Sequence, residues 1–210
     1  MRITSIERPP RKRRYEVRID HVLVVPLSRE VLAAANLRTG QEIDDARIAR
    51  LEAEEARHHA MATALRLLGY RPRSEREMRD ALHTRRVPEE VANETLERLR
   101  GLRLLDDRAF AESWTESRQR NSPRSRRLLL AELAQKGVKG KAARESVEAV
   151  DEEEAALLAA RKRALGMKQV EFADFRRRLG DFLARRGFDY ETCNVAIKRL
   201  WGEVNGGLRE

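Results

Sequence analysis

The chain has 210 residues, a formal net charge of +9, 41% hydrophobic and 38% charged residues, and only 5% aromatics. That apolar fraction suffices for a core, but no apolar run reaches the length of a membrane span and the N-terminus lacks a signal-peptide core. Cys193 is the single cysteine, which excludes an intramolecular disulfide and suits a reducing cytoplasm; the basic excess favours nucleic acid or an acidic protein surface.

In chain order, residues 1–14 hold six basic side chains against one acid around Pro9-Pro10, and this composition predicts a flexible basic arm. Tyr15–Ile19 alternates with period two and precedes the apolar run Val22–Val25, the pattern of a small hairpin. Ser28 is placed to cap a short helix through Leu37, closed by Thr39-Gly40. Residues 15–44 therefore read as a small α+β element. From Asp44 or Asp45 a helical run is expected to about Leu68, ended by Gly69.

Beyond this point the chain repeats. Met78, Leu82, Val87, Leu96 and Leu99 recur fifty-one residues on as Leu129, Leu133, Val138, Val147 and Val150, and fifty further as Leu179, Leu183, Phe188, Ile197 and Leu200. The first two of each set lie four apart on one helix face; a break follows, then a second helix begins. Such modules bury their apolar faces only by stacking. The expected fold is mostly α, with tandem three-helix repeats in an elongated array and a small N-terminal α+β element. The repeats are placed at 45–105, 106–150 and 151–203, with a tail at 204–210. Ser74 with Glu77 marks a capping box, and Pro88 a helix start. Asp106-Asp107 and Asp151–Glu154 place acids in first turns. The last helix is expected from near Tyr190 to Trp201, with Asn205-Gly206-Gly207 frayed.

No catalytic constellation is legible. His21, His58, His59 and His83 have no partner at a zinc-ligand spacing, and the glycines form neither a phosphate loop nor a dinucleotide fingerprint. No metal, cofactor or enzymatic step is expected. A nuclease would need carboxylates distant in sequence to meet in space.

The basic groups cluster instead. Arg118, Arg120, Arg124, Arg126 and Arg127 surround Pro123, and Lys136, Lys139 and Lys141 follow. Arg161, Lys162 and Arg163 open the third module, with Arg176, Arg177 and Arg178 on its next helix and Arg185 and Arg186 just before Gly187. The ordinary role of any one group is a solvated helix face. The sharper reading is that successive modules present charge to the phosphates or acidic patches of a polymer. Phe110, Trp114, Phe175 and Phe182 fall at core spacings and are assigned to packing, so single-strand stacking gains little support.

The string Leu67–Met78 resembles the opening of the first repeat of RecX proteins, and Leu104–Trp114 and Glu132–Val138 resemble the family's next signatures in order and spacing. The likeness extends weakly from Tyr15 to Trp201; Arg124 stands where the family often carries glycine. The resemblance implies a non-catalytic, cytoplasmic regulator, typically an inhibitor, of the RecA recombinase in DNA repair, homologous recombination and the SOS response. It would lie in the groove of the RecA–DNA filament, bridge adjacent protomers, and modulate ATPase, strand-exchange and co-protease activities. The expected partners are that filament and DNA, directly or through it; no membrane is involved and the protein is a monomer. A sequence-nonspecific DNA-binding protein without a recombinase partner is the alternative.

Overall fold

The computed structural model describes residues 1–167 and 169–206, which divide into two compact units. The first comprises Met1–Arg73 and Met78–Leu105; the second comprises Ser74–Glu77 and the chain from Asp106 onward.

The first unit begins with an antiparallel sheet of β1 (Ile3–Glu7), β2 (Tyr15–Ile19) and β3 (Leu23–Leu27), in that spatial order. Alternation decides which face is covered: Val17 pairs with Val25, and these two with Ile19 and Leu27 all point into one core. The expected basic arm is corrected here. Residues 3–7 form a strand, with Ile3 wholly buried, because pairing with β2 satisfies their backbone and the apolar Ile3 seats in the core. The Nε of Arg14 meets Glu55 Oε1 at 3.1 Å, which fixes the far end of the same stretch.

Helix α1 (Arg29–Ala35) is capped by Ser28, whose hydroxyl accepts from Val31 N. It ends earlier than expected because Asn36, not Thr39-Gly40, takes the left-handed cap. Helix α2 (Asp45–Tyr70) starts at an Asp44 cap and runs through Gly69 to Tyr70, with Pro72 just beyond. Its C-terminal half joins α3 (Glu75–Thr84) and α4 (Glu89–Gly101) around Ala64, Leu67, Met78, Leu82, Leu96 and Leu99.

The second unit contains α5 (Asp107–Asn121), α6 (Arg126–Gln135), α7 (Gly140–Glu148), α8 (Glu152–Leu165), α9 (Phe172–Ala184) and α10 (Tyr190–Gly206) around one continuous core. Asp106, Ser125 and Asp151 are side-chain N-caps. Helix α6 begins two residues later than Arg124 because the Ser125 hydroxyl accepts from Leu128 N. Helix α10 continues past Trp201 to Gly206; of the expected tail, residues 207–210 lie outside the described residues.

A recurrent clasp sits inside this unit. Ser125 N donates to Arg186 O at 3.1 Å, and Gly187 packs against Ser125 and Leu128. Correspondingly, Ser74 Oγ donates to Lys136 O at 2.6 Å, and Gly137 packs against Arg76. Both glycines have φ near +90, which explains the residue type at the break after the second helix of the second and third modules.

Candidate functional site

Helix α5 carries Phe110 and Trp114 four residues apart, their rings stacked with centroids 5.9 Å apart. Trp114 is only half-buried, and Arg118 lies over its ring at 4.3 Å, so the indole is a platform for a cation as well as core. Glu132 on α6 is the hub. Its Oε2 accepts from Trp114 Nε1 at 2.9 Å and Arg118 Nε at 3.0 Å, and its Oε1 pairs with Arg124. Burial, then the neighbouring charges of Arg118 and Arg186, lowers the pKa of Arg124.

This geometry separates the basic residues by role. Arg118 and Arg124 hold Glu132; Lys136 pairs with Glu77 at 2.6 Å; and Arg126 donates twice to Val150 O while its backbone N meets Glu152. These four cations brace the unit. Arg120 pairs with Glu116, Lys141 with Glu145, Arg161 with Glu203 and Arg177 with Asp174 on the surface. Such exposed pairs are readily exchanged for an incoming anion, because solvent and salt screen them. Arg127 donates to Gly187 O.

Arg163 and Arg186 lie over the half-buried Phe182 ring, at 5.1 and 3.9 Å from its centroid. Burial, followed by the charges of Arg163 and Arg185, lowers the Arg186 pKa. Lys139, Lys162, Arg176, Arg178 and Arg185 are exposed and form no ion pair among the described residues, although, after the hydrogen bond from Arg177, the charge of Arg178 helps to lower the pKa of Asp174. Between α9 and α10 runs a groove of about 560 Å³ lined in part by Arg176, Arg177, Asp181, Tyr190 and Asn194. Tyr190 is 79% exposed there and was not singled out by the sequence pattern, where it reads only as a helix start. Phe175 is wholly buried and packs edge-on to Trp201 at 5.0 Å.

Among the described residues, no three His, Cys, Asp or Glu side chains gather as metal ligands, and no helix is long and apolar enough to cross a membrane. Cys193 is buried, and burial raises its thiol pKa.

Three family models match in tandem: RecX, first three-helix domain, over residues 60–99; RecX, second three-helix domain, over 106–146; and RecX, third three-helix domain, over 151–197. The chain belongs to the RecX family. It is 32% identical to the regulatory protein RecX of Levilactobacillus brevis over 201 residues, covering 94% of this chain and 76% of the relative. The regulatory protein RecX of Mycobacterium tuberculosis is 35% identical over 157 residues, covering 71% of this chain and 90% of that protein. A crystal structure of regulatory protein RecX superposes with a TM-score of 0.63 at 27% identity, covering 91% of this chain and 96% of that one. The fold is thus that of the RecX family, three tandem three-helix domains with a small N-terminal sheet, and RecX proteins are regulators.

Proposed function

We propose that this RecX-family protein regulates the RecA recombinase, lying in the groove of the RecA–DNA filament and lowering its ATPase, strand-exchange and co-protease activities. The observation that carries this reading is the match to all three RecX domains in order. The exposed cations of the second unit that form no ion pair supply the chemistry. Lys139, Lys162, Arg176, Arg178 and Arg185 are the principal contacts, with Arg120, Arg127, Lys141 and Arg177 available once their weak pairings exchange. Binding that favours an inactive filament arrangement lowers activity by shifting a population, so no covalent step is required. The reading places the protein in the cytoplasm as a monomer.

The deciding experiment titrates the protein into cognate RecA filaments at fixed salt while following DNA-dependent ATP hydrolysis and, in parallel, binding to bare DNA. Inhibition well below one protein per recombinase subunit, without sequestration of DNA, is expected. Tight binding to bare DNA with no effect on the filament would overturn the reading in favour of a sequence-nonspecific DNA-binding protein.

A further inference from the structure

The first unit has its own basic channel, distinct from the residues assigned above. One face of α2 presents His59, Ala62, Thr63 and Arg66, at the i, i+3, i+4, i+7 spacing of a single helical stripe. Opposite stand Lys12, Arg13 and Arg14 from the β1–β2 loop, together with Pro26 of β3, enclosing about 580 Å³. A second depression of about 360 Å³ shares Arg14, Pro26 and His59 with the first and continues to the α3–α4 turn at Arg85–Pro88. The small floor residues Ala56 and Ala62 leave the channel open.

Its charge is one-sided once internal pairs are removed. Lys12 meets Glu16 at 2.6 Å, and Arg14 meets the buried Glu55, whose other oxygen accepts from Ser28 N. Arg13, Arg66 and Arg86 are exposed with no acidic partner among the described residues, and Arg85 reaches only the carbonyl of Ala81. Glu52 is the sole lining carboxylate without an ion-pair partner among the described residues. Burial, and next the charge of Arg14, lowers the pKa of His59, with Arg66 acting the same way and Glu55 opposing.

Arg86 adds an independent observation. It occupies the break that Gly137 and Gly187 occupy in the later modules, fifty-one and then fifty residues on, and it adopts the same left-handed backbone at φ 59. A non-glycine residue in that conformation brings its Cβ too close to the following carbonyl oxygen and is strained. The strained position thus carries a guanidinium at the channel's edge instead of the glycine its geometry favours.

We infer that this channel of the first unit is a sequence-independent track for the phosphodiester backbone of DNA, with Arg13, Arg66, Arg85 and Arg86 as its contacts. The inference goes beyond the filament reading and does not rest on it. The test measures binding of the full chain to a fluorescent single-stranded and a duplex oligonucleotide across a range of salt. R13E/R66E/R86E is expected to lose at least tenfold in affinity for one or both, and its log–log salt slope to flatten by about 3, one for each phosphate contact. Arg86→Gly separates binding from folding: it should match or exceed the wild type in thermal stability and still bind DNA more weakly. Unchanged affinity and slope in both variants would overturn the inference. So would displacement of the oligonucleotide by tripolyphosphate at equal phosphate concentration, which would mark a small-polyphosphate site. RecA ATPase inhibition is read separately, so failure here is distinguishable from failure of the filament reading.

Discussion

The indole Nε1 of Trp114 and the guanidinium of Arg118, one helical turn apart on α5, donate to the same carboxylate oxygen of Glu132, at 2.9 and 3.0 Å. Glu132 is 9% exposed, and its second oxygen pairs with Arg124. Glu132→Leu should therefore destabilise the protein by about 2–4 kcal/mol, since it leaves two partly buried cations without their counter-charge. Glu132→Gln, which keeps the shape and one acceptor, should cost less. Equilibrium denaturation of the two variants checks the order; equal effects would show that the lost charge, which the two variants share, sets the whole cost.

Gly187 should resist any side chain. Its φ is +89, and an added Cβ would stand 2.8 Å from Leu128 Cβ and overlap the Ser125 hydroxyl. Gly187→Ala is expected to lower stability by more than about 2 kcal/mol through strain and overpacking together. Gly202, within α10 with nothing near its would-be Cβ, is the control: Gly202→Ala should stabilise by about 0.5–1 kcal/mol. Thermal melts that fail to separate the pair would contradict this account of the clasp.

His59 predicts a pH dependence. Its folded-state pKa lies below the ordinary 6.5, so the unfolded chain takes up the proton more readily. Its contribution to stability is fully present above about pH 6.5 and is lost as the pH falls through the lower folded value. Between pH 7.5 and 5.5 the melting temperature of the wild type should fall further than that of His59→Gln. Parallel curves would assign the acid sensitivity elsewhere.

The proposed contacts of the second unit make a separate prediction. R176E/R178E/R185E should bind RecA filaments less tightly and with a shallower salt dependence, at little cost in thermal stability, because all three are exposed and none forms an ion pair among the described residues. By contrast, Arg126→Glu should destabilise the fold, since Arg126 donates to Val150 O at 2.6 and 2.8 Å. Filament binding at several salt concentrations, beside thermal melts, separates the two behaviours.

The helical modules are legible from spacing because helix periodicity is local: Leu129 and Leu133, or Leu179 and Leu183, declare a buried face without knowledge of what covers it. Strand β1 is not legible, since Ile3 and Ile6 lie beside arginines and prolines, and only pairing with β2 across the basic loop at 8–14 makes them a strand. The candidate site divides in the same way. Density of Arg and Lys locates the basic regions. Which cations are engaged depends on carboxylates such as Glu132 and Glu77, whose pairing with Arg124 and Lys136 only the fold brings about; Glu77 reads in sequence as a capping-box acid.

The clasp of Ser125 with Arg186 and Gly187 joins residues from neighbouring modules, so neither completes its helix ends alone. The second and third modules should then open in one step: in native-state hydrogen exchange, amides of α6 and α9 would share a single opening free energy. A chain cut after Val150 would leave the Ser125 amide without its acceptor and the core facing Phe188 uncovered, making the last module the cap without which the middle one is not independently folded.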